Sequence, residues 1–266
     1  MYSEKLQYAI ELRDTGHVPE AVEELRAIAS QTDDLNEKIQ AFGNLVVCYR
    51  LLGSLSDARA AWQNARELAS STTEVQPDLD LYINFLDACL LNEEGKIEEA
   101  SKKFTRLFHD YADAFKSPEN RELYEDIQHR RANTLIELGR FREALPLLEE
   151  VITFDLPPSD KIKLLCHLGD CCIDIEDYES ARRHYESAQE MGMPKEWESR
   201  SRYYLGIAYA KLDLFHKAKQ EFEFCESKLA GYDLPLRDLY KWLAFVSKRL
   251  GETDKVREYT RLSLTA

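Results

Sequence analysis

Cys166, His167, Cys171 and Cys172 bring three thiols and an imidazole into one short stretch of the chain. These groups are zinc ligands, but structural zinc sites take ligands two to four apart in pairs, and the spacing argues against one here because Cys172 falls at a position that faces the core. Carboxylates stand side by side at Glu93-Glu94 and Glu149-Glu150. Acid–base catalysis needs such groups in unlike surroundings, whereas neighbouring acids on a helix are ordinarily a solvated face. His129 with His167 would be the proton carriers of an enzyme, yet neither has an evident partner in sequence. No GxGxxG, GxxxxGK, GxSxG or HExxH occurs, so phosphate cradling, a nucleophile elbow and a zincin site lack a sequence basis. The expectation is a protein that is not an enzyme and uses no metal and no cofactor.

Any site must therefore come from how the chain is arranged, and the arrangement is repetitive. A glycine followed five positions later by alanine recurs at Gly16 and Ala21, Gly53 and Ala58, Gly95 and Ala100, and Gly139 and Ala144. Three further segments fit when the glycine is polar or the alanine merely small: Glu176 and Ala181, Asp213 and Ala218, Gly251 and Val256. The small residues follow one another at 37, 42, 44, 37, 37 and 38 positions. Each glycine is flanked by amphipathic stretches of helical period. In the second unit Phe42, Leu45, Val46 and Tyr49 share one face, and after Gly53 so do Ala58, Trp62 and Ala65. The pattern reads as antiparallel helix pairs. Small residues let helices approach, and Trp62, Phe104, Leu148, Tyr185 and Phe222, each four residues after its alanine, fill the space between repeats. Cys172 takes a core position that is Tyr or Leu elsewhere, and Cys225 a small-residue position like Ala65 and Ala188, which favours cysteine as a small hydrophobe over cysteine as a ligand.

Boundaries between units fall at Ser70 to Pro77, Lys116 to Asn120, Leu156 to Asp160, Met193-Pro194 and Tyr232 to Pro235, all rich in turn formers. Pro19 suits the first turn of a second helix. Pro146, inside the second helix of the fourth unit, predicts a late helix start or a kink.

With Leu205-Gly206, Tyr209, Ala218 and Phe222 in the sixth unit, and Leu168-Gly169, Ala181, Tyr185 and Pro194 in the fifth, the chain resembles the tetratricopeptide repeat family. It departs from the family in unit length, which exceeds the usual 34 residues or so, and in Asp87-Ala88 and Ser247, where apolar or aromatic residues are expected. Armadillo or HEAT arrays are the rival reading at this period; the glycine-to-alanine spacing with Tyr49 and Tyr209 four residues before the turn favours the tetratricopeptide one. The resemblance implies an all-α, right-handed solenoid of about seven helix pairs spanning residues 1–266 as one domain, with repeats near 2–33, 38–75, 78–116, 122–156, 160–193, 197–232 and 236–266.

Charge and composition narrow the partner. Apolar residues make up 44% of the chain and the net charge is −14, so the protein folds but its summed field repels nucleic acid and anionic lipid. The start, Met1 to Leu12, lacks the apolar run of a secretory signal, and the six cysteines read as reduced thiols; a soluble cytoplasmic protein, with neither nucleic acid nor membrane as partner, is expected. In the family the first helix of each repeat lines a concave groove. Counted back from the turns, that lining would hold Leu6, Ile10, Val47, Tyr82, Phe85 and Cys89 in the first three repeats. In the last four it would hold His129, Asn133, Lys163, His167, Arg200, Tyr203, Ile207, Lys241 and Phe245. The first set suits an apolar segment, or else is buried between neighbouring first helices; the second suits acidic groups or a free carboxylate. Arg130 and Arg131 read as surface cations paired with Glu125 and Asp126. Asn133 and Arg200 are only fragments of the two-carboxylate clamp by which some members hold a chaperone's C-terminus, so that partner is not expected. The leading function is an adaptor or scaffold that binds a protein or peptide. The alternative is a regulatory protein that changes curvature on binding a small peptide, with the longer units and irregular loops acting as hinges. Oligomeric state is not encoded in any motif.

Overall fold

The computed structural model describes residues 3–71, 75–228 and 236–266. Residues 72–74 of the boundary at Ser70 to Pro77, and the whole boundary at Tyr232 to Pro235, lie outside the described residues. All regular structure among the described residues is helical, and none of those helices is long and apolar enough to cross a membrane. The chain divides into two compact units, residues 1–138 and 139–266.

The first unit holds α1 (Glu4–Asp14), α2 (Val18–Gln31), α3 (Leu35–Leu51), α4 (Leu55–Ser70), α5 (Pro77–Glu93), α6 (Ile97–Asp110) and α7 (Arg121–Glu137). Each of these helices packs antiparallel on the next, and α3 also touches α1 and α5, so the first helices of successive pairs form one row. The second unit holds α8 (Phe141–Val151), α9 (Pro158–Asp174), α10 (Tyr178–Glu190), α11 (Lys195–Lys211), α12 (Phe215–Ser227), α13 (Leu236–Arg249) and α14 (Thr253–Thr265). Here α9, α11 and α13 form the row, backed by α10, α12 and α14.

Within each unit, the helix pairs reverse direction through a left-handed residue. Gly53 takes φ +72°, which lets its N–H reach the Arg50 carbonyl at 3.0 Å while Ser54 N–H reaches that of Tyr49 at 2.8 Å, closing the orphan carbonyls of α3. The two polar stand-ins adopt the same conformation, Glu176 at φ +65° and Asp213 at φ +60°. The aromatic fillers are also where the spacing puts them: Phe104, Tyr185 and Phe222 are fully buried, as is Leu148, and the Trp62 indole donates to the Ile83 carbonyl at 3.0 Å. Pro146 does not delay its helix. α8 begins at Phe141 and runs through Pro146, which is exposed, as is Arg142, whose carbonyl has lost its helical donor.

The boundary after α6 is firmer than a loose loop. Two 3-10 turns, Ala114–Lys116 and Pro118–Asn120, fill it. The Tyr111 hydroxyl donates to the Asp80 carboxylate, and the Asn120 amide donates to Asp78 at 2.9 Å, so both ends are tied to the first turn of α5. Phe115 adds an edge-on contact with Tyr124 of α7 at 5.4 Å.

Candidate functional site

α11 begins directly after Pro194, whose extended backbone sets the end of the preceding loop, and runs 17 residues to Lys211. Arg200, Tyr203 and Ile207 follow one another along it at helical spacing, Arg200 exposed, Tyr203 buried and Ile207 half-buried. α13 lies beside it, and between the two opens a cleft of about 490 Å³ lined by Tyr203, Lys211, Asp238, Lys241, Trp242 and Phe245.

The floor of the cleft is aromatic and held from below. Trp242 stacks on the buried Phe222 ring at 6.1 Å with an interplanar angle of 19°, and Phe245 stands edge-on to Trp242 at 5.8 Å. Tyr203 packs edge-on to Phe222 at 6.0 Å, and burial pushes its phenol up to about 12, so it stays a neutral hydroxyl across the physiological range. Phe245 nevertheless remains 40% exposed, leaving apolar surface open to solvent at the cleft. It is steadied by Phe215 at 6.2 Å and by the Arg249 guanidinium, which lies 4.4 Å from the Phe215 ring. The rim is charged. Lys241 pairs with Asp238 at 2.7 Å, both half exposed, and Lys211 reaches over the Tyr178 ring at 5.5 Å.

One turn before Tyr203, Arg200 is coupled to a buried acid. Its guanidinium donates to one Asp170 oxygen at 2.9 Å, while the Tyr185 hydroxyl donates to the other at 2.6 Å. Asp170 is 8% exposed, and burial raises its pKa above the ordinary carboxylate value despite the opposing charge of Arg200. Burial likewise pushes the neighbouring Cys166 thiol up to about 12 and that of Cys172 to about 11, the opposite of the depressed value a ligating or nucleophilic cysteine requires.

Of the residues expected to line a groove, Tyr203, Lys241 and Phe245 meet in this cleft. Arg200 is half exposed beside it, and Ile207 is half-buried one turn further along α11. Lys163 is exposed on α9 and pairs with Asp160 at 3.5 Å; His167 is half-buried with its ring edge-on to Trp197 at 5.4 Å. In the first unit Ile10, Val47 and Tyr82 are half-buried, whereas Leu6, Phe85 and Cys89 are in the core. His129 and Asn133 are half-buried on α7. Of the two arginines beside them, Arg130 pairs with Asp126 at 2.9 Å, but Arg131 turns over the Phe108 ring at 4.4 Å.

Trp242, Asp238, Lys211 and Asp170 were not singled out by counting. Three of them occupy registers already in use. Trp242 precedes Gly251 as His167 precedes Glu176, Asp238 matches Lys163 and Arg200, and Asp170 matches Asn133 and Ile207. Extending the same count to every repeat finds them; Lys211, at the helix end, follows from no such register.

Residues 162–191, covering most of α9 and all of α10, match the family model described as tetratricopeptide repeat. That segment is a tetratricopeptide repeat. None of the curated proteins compared with this chain matches it. Among solved structures, the apo form of RapI is 12% identical, with 98% of this chain and 74% of that one covered at a TM-score of 0.68. The C-terminal part of a tetratricopeptide repeat-containing protein from Cytophaga hutchinsonii is 16% identical over 98% and 94% of the two chains, at 0.61. YrrB, described as a tetratricopeptide repeat protein with an unusual peptide-binding site, is 16% identical over 78% and 92%, at 0.56. These likenesses establish that the chain has the tetratricopeptide repeat fold.

Proposed function

We propose that this chain is a non-catalytic adaptor or scaffold of the cytoplasm that binds a partner protein by taking one of its peptide segments into the cleft between α11 and α13. The observation that carries the reading is the half-open aromatic floor of Tyr203, Trp242 and Phe245 beneath a lysine rim. Such a floor offers a partner's large apolar side chain a place to lose its hydration, and stem and charge of Lys211 and Lys241 favour acidic groups next to it. The surroundings share that sign. α13 carries Arg237, Lys241, Lys248 and Arg249 against a single acid, Asp238, in a chain whose net charge is −14. The peptide-binding site named for YrrB, a protein of like fold, supports the reading by analogy only.

Peptides selected from a random 12-residue display library against the full chain test it. Selected peptides should carry a large apolar residue and lose at least tenfold in affinity to the Trp242→Ala variant, and lose several-fold to Lys241→Glu, with both variants melting within a few degrees of the parent. Selected peptides that bind Trp242→Ala as well as the parent would place the site elsewhere.

A further inference from the structure

The cleft is elongated along its helices. Its lining on α11 runs from Tyr203 to Lys211, about 12 Å along the axis, and on α13 from Asp238 to Phe245, about 10 Å. Beyond Lys211 the chain turns into α12, and that turn is apolar. Leu214, the residue before α12, is 41% exposed, and Phe215 next to it is half-buried. Phe215 meets Phe245 edge-on at 6.2 Å, and Phe245 meets Trp242 edge-on at 5.8 Å. The three rings thus make one continuous run from the cleft floor to the turn, with the outer two centres within about 12 Å of each other. The Arg249 guanidinium, 4.4 Å from the Phe215 ring and 3.4 Å from Asp213, fixes that end of the run.

Size and charge say what could follow this run. An α-helix is about 10 Å across, so one laid over 12 Å would fill about twice the 490 Å³ of the cleft. An extended strand is slimmer and advances about 3.3 Å per residue, so side chains four residues apart lie on one side and about 13 Å from each other. Of the nearby acids, Asp238 is paired with Lys241 and Asp213 with Arg249, whereas neither Lys211 nor Lys248 pairs with an acid among the described residues. Positive charge is therefore left over on both sides of Phe245, in a chain whose net charge is −14, and it complements acids placed between apolar anchors.

We propose that the partner segment lies extended along the cleft, parallel to α11 and α13, and leaves it over the turn between α11 and α12. One large apolar residue sits on Tyr203 and Trp242, and a second, four residues away, sits on Leu214 and Phe215. The proposal rests on the reading of the α11–α13 cleft as the peptide site and adds to it a path, a second anchor outside the cleft and a spacing. The partner is an acidic segment of a protein with two large apolar residues at that spacing.

The probes are fluorescein-labelled dodecapeptides of alternating serine and aspartate that carry one phenylalanine, and a series with a second phenylalanine two to eight residues further on. Fluorescence anisotropy is read against the full chain and its Trp242→Ala and Leu214→Ser variants, each checked for an unchanged helical spectrum and melting curve. Leu214 is exposed and serine is a favourable residue before a helix, so the second variant keeps the fold. A second phenylalanine four residues away should tighten binding about tenfold, and one three or five residues away less than threefold. In Leu214→Ser the gain should fall below threefold while the single-phenylalanine probe keeps its affinity. Trp242→Ala should weaken every probe, and lysine in place of every aspartate should cost at least tenfold. A gain equal at all spacings, one largest at seven or eight residues as a helix requires, or one that survives in Leu214→Ser overturns the path; equal binding of the lysine peptides overturns the acidic partner. If the single-phenylalanine probe binds in a Trp242-dependent way but the second phenylalanine adds nothing, the path alone fails. If no probe binds, or Trp242→Ala changes nothing, the cleft reading fails and takes the path with it.

Discussion

The ring of Tyr185 occupies the space a side chain on Gly169 would need: a Cβ built there falls 2.5 Å from the ring's Cζ. Tyr185 is fully buried and tied to Asp170, so it cannot swing away cheaply. Gly206 stands in the same relation to Phe222, at 2.7 Å. Gly43 differs, since its nearest neighbour is the half-buried Tyr82 ring at 3.0 Å. Overpacking costs about 1–3 kcal/mol, against which alanine recovers about 1 kcal/mol of helix propensity. Gly169→Ala and Gly206→Ala should therefore lose about 1–2 kcal/mol in denaturant unfolding, whereas Gly43→Ala should be near neutral. Equal losses at all three sites would show that close approach is not what these glycines serve.

Much of this was legible in the residues. The turn-to-alanine spacing located the helix pairs even where Glu176 and Asp213 replace glycine, because backbone reversal and close packing impose the same spacing on every pair. The aromatic fillers followed from the same count. What the count could not show is which first-helix residues stay open. Leu6 and Phe85 share registers with Tyr203 and Lys241, yet the first two are buried in the core and Lys241 is exposed, because neighbouring helices differ in how closely they approach. Compensation was likewise hidden. Asp87 and Arg131 both stand where Leu168 and Leu205 stand, and only the fold shows that Arg59 and Lys103 neutralise the first and the Phe108 ring receives the second.

The left-handed turns at Glu176 and Asp213 carry a conformational cost that glycine avoids, about 1 kcal/mol per residue. Neither side chain is buried, so replacement removes no packing. Glu176→Gly should raise stability by roughly 0.5–1 kcal/mol, the gain being reduced by the greater freedom of glycine in the unfolded chain. Asp213→Gly should gain less, because it also gives up the Arg249 contact at 3.4 Å. Thermal melts of the two variants check the order.

Asp87 is 7% exposed and is met by Arg59 at 2.5 Å and by Lys103, with both cations also against the Trp62 ring. Removing it takes from Lys103 the acid it pairs with and leaves Arg59 with Glu94, at 2.7 Å, as its remaining acid. Breaking a buried pair from one side costs about 3–5 kcal/mol, and the partial exposure of Arg59 and Lys103 places Asp87→Ala near the lower figure. Asp87→Leu combined with Arg59→Leu and Lys103→Met, which restores the apolar type found at Leu168 and Leu205, should recover most of that loss. Urea unfolding of the single and triple variants measures both.

Asp170 should make stability depend on pH in a direction opposite to that of most carboxylates. Its pKa in the folded protein lies above the unfolded value because burial outweighs the help of Arg200 and the Tyr185 hydroxyl. Between the two values the folded state binds more protons than the unfolded state, so the residue's contribution falls as pH rises through that window and is flat above it. Paired surface acids such as Glu143 and Glu179, whose pKa values are lowered, add stability over the acid range and mask the effect in the parent. The difference between parent and Asp170→Asn isolates it: unfolding free energies measured from pH 4 to 8 should show the parent losing ground to the variant as pH increases, then running parallel. Arg200→Met removes the charge that holds the pKa down, so in that background the loss should extend to higher pH. A parent that gains on Asp170→Asn with rising pH would mean that the pair with Arg200, and not burial, governs this carboxylate.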